Sequence, residues 1–179
     1  MMCAIEITPT LSTERLLLRG PVHADAARVA ELANDLSVAS MTTSIPHPYA
    51  LDDAEAFVGQ AAACDWETDP GFVIEHRNFG VVGAIGFKPG ANGRSELGYW
   101  LGRPFWNRGY ATEACRAVLG WARRDWRRKL VVAGHFADNP ASGQVLCKAG
   151  FLYTGDVELR PCVARGGAEV PTRMMVWLA

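Results

Sequence analysis

The sequence predicts an α/β (α+β) fold, in which a mixed, mostly antiparallel central sheet of six to seven strands is flanked by about four helices. Runs rich in β-branched and aromatic residues alternate with segments whose apolar residues recur at helical spacing, in the order β, α, α, β, β, β, α, β, α, β, β. The three central β-rich runs follow one another with only short turns between them. That arrangement indicates an antiparallel meander rather than repeated βα units.

The first half of the chain predicts a strand and two helices before the meander. Residues 14–19 (ERLLLR) form a short apolar run closed by a Gly-Pro pair, and residues 24–34 carry apolar side chains at helical spacing. Residues 44–51 contain two prolines and are expected to form an ordered turn. Asp52 is expected to cap an alanine-rich helix that runs to residue 64.

The remaining elements follow from the same patterns. Strands are expected over residues 72–76, 80–87 and 96–101, a helix over 112–124, a strand over 130–136 and a helix over 139–149. Gly150 supplies the stop for that last helix. Two β-rich runs on either side of Arg165, Gly166 and Gly167 complete the chain.

Composition indicates one folded unit and excludes several classes of protein. With 179 residues, of which 49% are hydrophobic, a single domain over residues 1–179 is expected. The net charge of −1 gives no global field for nucleic acid or membrane surfaces. The chain has no apolar run of membrane-spanning length, and residues 1–10 lack the features of a secretory signal, so we expect a cytoplasmic protein.

Cysteine and histidine spacing argues against metal and disulfide chemistry. The five cysteines are scattered and form no CxxC pair: Cys3, Cys64, Cys115, Cys147 and Cys162. The four histidines also lack the spacing of metal ligands, so no metal site is expected. A cationic run over residues 123–129 contains Trp126 and could contact nucleic acid, but cations are also favoured at helix C-termini, which is the reading we prefer.

The most informative stretch is PFWNRGYATEACRAV, residues 104–118, which begins like a loop and ends like a helix. Gly109 allows the backbone to come close to a ligand, and the first amides of a helix lack partners within the helix. Together with the charge of Arg108, these amides could bind phosphate oxygens. The alternative is an ordinary turn that leads into a helix.

Four motifs in register resemble those of the GNAT acyl-CoA-dependent N-acetyltransferases: ELGYWLG, WNRGYATEA, DNPAS and LCKAGF. The leading STERLLLR and the IPHPY segment further resemble the branch that contains RimJ and RimL, the ribosomal-protein N-terminal acetyltransferases. The resemblance runs from about residue 13 to the C-terminus. Two positions depart from the family loop, because Trp106 and Asn107 stand where Gln or Arg and a glycine are common.

The resemblance implies acetyl-CoA as cosubstrate and assigns residues to it. Its pyrophosphate would be held by the loop amides of Asn107, Arg108, Gly109, Tyr110 and Ala111. Its pantetheine arm would pair with the backbone of Tyr99, Trp100 and Leu101, where the strand splays from its neighbour. Asn139 before Pro140 is an ideal helix cap, and the resemblance also places its side chain near the pantetheine amide.

Two residues are candidates for the chemistry that the resemblance implies. Glu96 alternates with Gly98 and Trp100 and could project toward the cleft to accept the amine's proton, directly or through a water; otherwise it is a solvated carboxylate or a partner of Arg94. Ser142 is the candidate donor to the departing thiol, with a hydroxyl that assists the helix start as the alternative.

The acceptor implied by the branch is a primary amine, namely a protein N-terminus. A small amine, an amino acid or an aminoglycoside is the alternative, and a noncatalytic acyl-CoA-binding sensor is the alternative from another class. His47, Tyr49 and Trp66 are expected to form an amphipathic wall of the acceptor site, and the hairpin around residues 162–171 to close it. A homodimer through an exposed strand edge is possible.

Overall fold

Eight strands and five helices form the part of the chain described by the computed structural model, residues 9–90 and 93–179. The strands are β1 (Leu11–Ser12), β2 (Leu16–Arg19), β3 (Gly71–His76), β4 (Gly80–Pro89), β5 (Ser95–Leu101), β6 (Leu130–Phe136), β7 (Leu152–Cys162) and β8 (Ala168–Leu178). The helices are α1 (Ala26–Ala33), α2 (Leu36–Ala39), α3 (Leu51–Ala62), α4 (Tyr110–Arg124) and α5 (Pro140–Ala149). Cys3 and most of the 1–10 segment lie outside the described residues.

All eight strands join one sheet in the order β1-β2-β3-β4-β5-β6-β8-β7. The pair β5–β6 is parallel, and the other neighbouring pairs are antiparallel. The predicted mixed, mostly antiparallel sheet is therefore confirmed. The sequence count of six to seven strands missed the two-residue β1, and the count of four helices missed the single turn of α2, because elements so short carry no periodic signal.

Helix starts differ by one or two residues from the sequence prediction. α3 begins at Leu51 with Ala50 as its N-cap residue, so Asp52 lies in the first turn and is not the cap. Asp53, also in that turn, accepts the N–H of Ala50 at 2.8 Å. α4 begins at Tyr110, two residues before the predicted start, directly after the loop glycine Gly109. The loop amides therefore belong to the first turn of a helix.

Two apolar layers enclose the sheet. One face packs against α4 and α5 and contains the larger core, including Phe72, Leu97, Val118 and Leu146. The other face packs against α1 and α3 around a smaller cluster that includes Val29 and Val58. Among the helices that the structure describes, none has the length and hydropathy needed to cross a bilayer.

Candidate active site

The sheet opens into a gap between its two parallel strands. β5 and β6 pair only where Ser95, Glu96 and Leu97 lie opposite Val131, Val132 and Ala133. β5 then continues along β4 to Leu101, while β6 continues along β8 to Phe136. Because each strand stays with its outer partner, the inner edges separate from Gly98 onward, as the resemblance implied.

Backbone hydrogen bonds determine which peptide groups of β5 face this gap. The N–H of Gly102 donates to the carbonyl of Val82, in β4, at 2.9 Å. Peptide groups alternate between the two sides of a strand, so those of Trp100 also face β4, while those of Tyr99 and Leu101 face the gap. The expected pairing with the pantetheine arm is therefore open to the peptide groups of Tyr99 and Leu101. β4 takes the peptide groups of Trp100, whose side chain lines the cleft instead.

The indole of Trp106 connects the end of β5 to the loop that follows. Its Nε1–H donates to the carbonyl of Leu101 at 2.8 Å. Trp106, one of the two residues that depart from the family loop, therefore anchors this loop to the strand, a role that its aromatic character did not reveal in the sequence.

The loop before α4 presents a row of amides that donate to no other protein group. Asn107 and Gly109 both adopt left-handed backbone angles, with φ of 58° and 80°. The N–H of Glu113 is the first to donate to a carbonyl of this turn, that of Gly109, at 3.0 Å. Within the described parts of the chain, the amides of residues 107–112 have no hydrogen-bond acceptor. Such a set at a helix N-terminus is suited to an anion.

The turn between β1 and β2 braces this loop from behind. Glu113, in the first turn of α4, accepts the hydroxyl of Thr13 at 2.6 Å and Nε of Arg15 at 2.7 Å. Nη1 of Arg15 also donates to the carbonyl of Arg108 at 3.0 Å, and the guanidinium lies 4.7 Å from the ring centre of Tyr110. Burial favours a higher pKa for Glu113, but these hydrogen bonds lower it below its usual value.

Sequence reasoning missed this brace. Thr13 and Arg15 belong to the STERLLLR motif and Glu113 to WNRGYATEA, so the two motifs that carried the family resemblance contact each other. An acidic residue in the first turn of a helix was the available signal, because it is favoured there by the helix dipole.

The predicted helix cap at Asn139 is confirmed, and it fixes the position of Ser142. The side-chain oxygen of Asn139 accepts the N–H of Ser142 at 3.2 Å. Oγ of Ser142 lies 2.8 Å from the hydroxyl of Tyr99, which also donates to the Ser142 carbonyl at 3.1 Å. Burial raises the pKa of Tyr99 well above its ordinary value, an effect to which the neighbouring Cys115 adds. The phenol therefore stays protonated.

Glu96 is buried and paired with a cation from the C-terminal hairpin. Nη1 and Nη2 of Arg160 donate to its two carboxylate oxygens at 2.5 and 3.2 Å, and Nζ of Lys88 lies 3.6 Å from the first oxygen. Glu96 is thus neither solvated nor, as the sequence alternative had it, a partner of Arg94. Burial works to lower the pKa of Arg160, but its hydrogen bonds to Glu96 and Glu158 raise it overall.

A cleft of about 460 Å³ connects Glu96 with Ser142. Its apolar lining includes Met41, Ile45, Tyr49, Phe57, Trp100 and Phe136. Asp69 and Glu96 are its acidic residues, and Lys88 and Arg160 its basic ones. Two negative and two positive side chains cancel, so the cleft carries no net charge when its histidine is neutral.

Of the expected acceptor wall, only Tyr49 lines the cleft. Trp66 packs edge-on against Phe72 in the core, with ring centres 5.2 Å apart, and His47 is exposed outside the cleft. The hairpin does approach the cleft rim: the N–H of Val163 donates to the carbonyl of Thr43 at 3.2 Å. Nε of Arg165 donates to the carbonyl of Ser40 at 2.8 Å.

The cationic run after α4 has a structural role in part. Nε1 of Trp126 and Nη2 of Arg128 both donate to the carbonyl of Glu67, at 3.0 and 2.6 Å. The Arg128 guanidinium also lies 4.1 Å from the centre of the Trp126 ring. Across residues 9–90 and 93–179, no cluster of three or more His, Cys, Asp or Glu side chains could hold a metal ion.

Comparisons with known proteins agree with this architecture. A family model described as an acetyltransferase (GNAT) domain matches residues 15–152. The uncharacterized N-acetyltransferase YoaA of Bacillus subtilis is 29% identical over 177 residues, which cover 93% of this chain and 94% of that protein. Both chains are thus matched over almost their whole length.

Solved acetyltransferase structures share the fold. The microcin C7 self immunity acetyltransferase MccE, in complex with acetyl-CoA and AMP, gives a TM-score of 0.80 at 20% identity and covers 93% of this chain and 94% of its own. RimL, a ribosomal L7/L12 α-N-protein acetyltransferase in complex with coenzyme A, gives 0.78 at 18% identity and covers 95% and 98%. The chain therefore belongs to the GNAT family and is an acetyl-CoA-dependent acetyltransferase.

Proposed function

We propose that the chain acetylates the primary amine at a protein N-terminus, as the RimJ/RimL-like branch does. The N-terminal STERLLLR and IPHPY motifs support this branch, and RimL is among the proteins that share the fold. The observation that carries the proposal is the charge-neutral cleft that runs from Glu96 to Ser142. An acceptor whose only charge is its own amine fits such a cleft.

The residues of the loop and the gap fit acetyl-CoA. The unpaired amides of residues 107–111, at the positive end of the 15-residue α4, would hold its pyrophosphate, with Arg108 adding charge. The peptide groups of Tyr99 and the N–H of Leu101 would hold the pantetheine arm, since the Leu101 carbonyl already accepts the indole of Trp106. When bound, acetyl-CoA supplies an activated thioester carbonyl.

The chain's own groups would move the protons. Both carboxylate oxygens of Glu96 accept hydrogen bonds from Arg160. We therefore assign Glu96 the role of a base that takes the amine's proton through a water rather than by direct contact. Oγ of Ser142 would donate its proton to the leaving sulfur and recover it from solvent. The apolar walls of the cleft favour the uncharged, nucleophilic form of the amine.

A small amine is the second candidate, and the C-terminal hairpin favours it. The contacts of Val163 and Arg165 with residues 40–43 hold the hairpin at the rim of the cleft. A cleft bordered on that side suits a molecule that enters whole. The neutral lining argues against polyamines, because each additional ammonium group would need an acidic partner in the cleft.

Thiol release from acetyl-CoA, followed over a panel of acceptors, tests the proposal. Octapeptides with a free N-terminus are compared with the same peptides formylated at that N-terminus, and with small monoamines and spermidine. We expect turnover of free peptides, none of the formylated ones and little with spermidine. If only small monoamines are acetylated, a small amine rather than a protein N-terminus is the acceptor.

A further inference from the structure

The hydroxyl of Tyr99 contacts Ser142 across the gap. Neither the binding of acetyl-CoA by the loop nor the lining of the acceptor site uses this hydroxyl. We propose that Tyr99 is a positioning residue for acetyl transfer, whose hydroxyl donates to Ser142 and leaves the serine proton free to point at the leaving sulfur. The inference rests on the proposed function of Ser142 as donor and adds the residue that orients it.

Strand geometry puts the two hydroxyls together. Tyr99 lies on β5 two residues beyond Leu97, the last residue paired with β6, and its side chain faces α4 and α5. The ring packs against the large core cluster, and its hydroxyl reaches Ser142 of α5. Ser142 is the third residue of α5, and the Asn139 side chain accepts its backbone N–H. Both Tyr99 and Ser142 line the cleft.

The hydrogen-bond inventory fixes one of the two directions of donation. Tyr99 has one proton, and Ser142 offers it two acceptors, the carbonyl at 3.1 Å and Oγ at 2.8 Å. A carbonyl only accepts, so the phenol is the donor in that contact. Between the two hydroxyls either oxygen can donate, and the proposal assigns the phenol proton to both Ser142 oxygens, which needs nothing back from the serine. The Oγ–H of Ser142 can therefore turn toward the gap. No proton leaves Tyr99 in this arrangement.

The surroundings keep the phenol a donor. Cys115 of α4 is the titratable neighbour that adds to the effect of burial, and its own thiol is fully buried, which raises its pKa as well. A charged phenolate or thiolate is therefore disfavoured on both sides. Leu146, one turn further along α5, is buried in the core and offers no hydroxyl to the cleft.

Tyr99→Phe removes one oxygen and keeps the packed ring, so it isolates the hydroxyl. We expect kcat to fall about tenfold, the effect of one hydrogen bond, with KM for acetyl-CoA unchanged. Ser142→Ala should lose at least as much, and the double variant no more than Ser142→Ala alone, because Tyr99 acts through Ser142. Tyr153→Phe is the matched control, since that hydroxyl bonds Nε2 of His135 at 2.9 Å.

A binding measurement supplies a readout independent of turnover. Calorimetry compares coenzyme A with desulfo-coenzyme A, which lacks the sulfur. The wild-type protein should prefer the sulfur-containing ligand, and Tyr99→Phe and Ser142→Ala should both lose that preference. A Tyr99→Phe protein with wild-type kcat and undiminished preference overturns the inference, as would losses that simply add in the double variant.

Two further results separate a failure of this inference from a failure of the proposed function. If Tyr99→Phe does not fold, a tetrafluorinated tyrosine at position 99 retains the ring and the hydroxyl but is a much stronger acid, which offsets the effect of burial. Its kcat should then decline toward alkaline pH where that of the wild type does not, and an unchanged profile contradicts the inference. A wild-type protein that acetylates no amine removes the proposed function itself, and the inference with it. Wild-type turnover with an unaffected Tyr99→Phe removes the inference alone.

Discussion

Nε of Arg15 donates to Oε2 of Glu113 at 2.7 Å, although the two residues lie 98 positions apart in the chain. Thr13 adds its hydroxyl to the same carboxylate. The carboxylate is thereby held behind the first turn of α4, and Arg15 also reaches the carbonyl of Arg108. The brace uses the side chains and carbonyls on one side of the loop and leaves the amides on the other side open.

Replacement of Glu113 by Gln should loosen the cofactor loop. The variant retains the shape of the side chain but loses charge-assisted bonds to Thr13 and Arg15, so we expect a loss of about 1–2 kcal/mol in the free energy of unfolding. The Kd for acetyl-CoA should rise several-fold. Denaturant titration and calorimetry measure the two effects.

Glu31→Gln provides the control for this experiment, because Glu31 forms an exposed pair with Arg28 on α1. Its loss should cost less than about 1 kcal/mol and leave acetyl-CoA affinity unchanged. Equal effects of the two substitutions would show that Glu113 is only a surface charge.

Gly109→Ala should weaken acetyl-CoA binding through the backbone. At φ of 80° an alanine is strained, and the added methyl group would lie 3.4 Å from a guanidinium nitrogen of Arg15. We expect a cost of about 1 kcal/mol in stability and a rise in Kd as the loop relaxes from its left-handed geometry. Gly155→Ala is the control, because Gly155 has φ of 92° in the β7 bulge, with open space around it. It should lose stability alone, and a matching loss of affinity would argue against the loop assignment.

The fold was predictable where local pattern and tertiary structure agree. The meander, the two long helices after it and the cap at Asn139 each leave a local signature of alternation, helical period or capping residue. β1 and α2 leave none, because two strand residues or one helical turn are stabilised by their neighbours rather than by their own sequence.

The candidate site was predictable only as far as it lies within single segments. The loop of residues 107–111 and the splayed strand appear in short motifs. The partners of Glu96 and Glu113 come from Arg160 and Arg15, far away in the chain, and spacing cannot reveal side chains that meet only after the sheet has assembled. For the same reason Trp100 was expected to offer its backbone, although the register with β4 determines which peptide groups are free.

Acid should remove the stabilisation that Asp25 provides. This buried carboxylate accepts Nη1 and Nη2 of Arg19 at 2.8 and 2.9 Å and the N–H of Val22 at 2.8 Å. Burial favours a higher pKa for Asp25, but these bonds lower it below its usual value of 3.8. A folded-state pKa below the unfolded value means that the stabilisation is complete above the usual value and is lost as the pH falls through the folded one.

Unfolding of the wild type and Asp25→Asn should therefore be compared from neutral to acidic pH. The variant should be about 2–4 kcal/mol less stable near neutral pH, because Arg19 is left without this partner. The difference in the free energy of unfolding should become smaller below about pH 4 as the wild-type carboxylate is protonated. Two curves that stay parallel down to the acid transition would contradict this assignment.

Arg160 should hold the Glu96 carboxylate where it can take the amine's proton. Its guanidinium lies on the carboxylate of Glu96 from β7, while Lys88 approaches from β4 and Glu158 accepts from the same guanidinium. In Arg160→Gln the buried Glu96 carboxylate loses its nearest cation and the contact that positions it. We expect kcat/KM for the amine to fall about tenfold, with acetyl-CoA affinity unchanged. Arg160→Lys retains the charge and should restore part of the activity, whereas Glu158→Gln changes only the outer carboxylate and should leave kcat/KM unchanged. If Arg160→Gln lowers stability without lowering kcat/KM, Glu96 takes no part in proton transfer and the pair only holds the hairpin against the sheet.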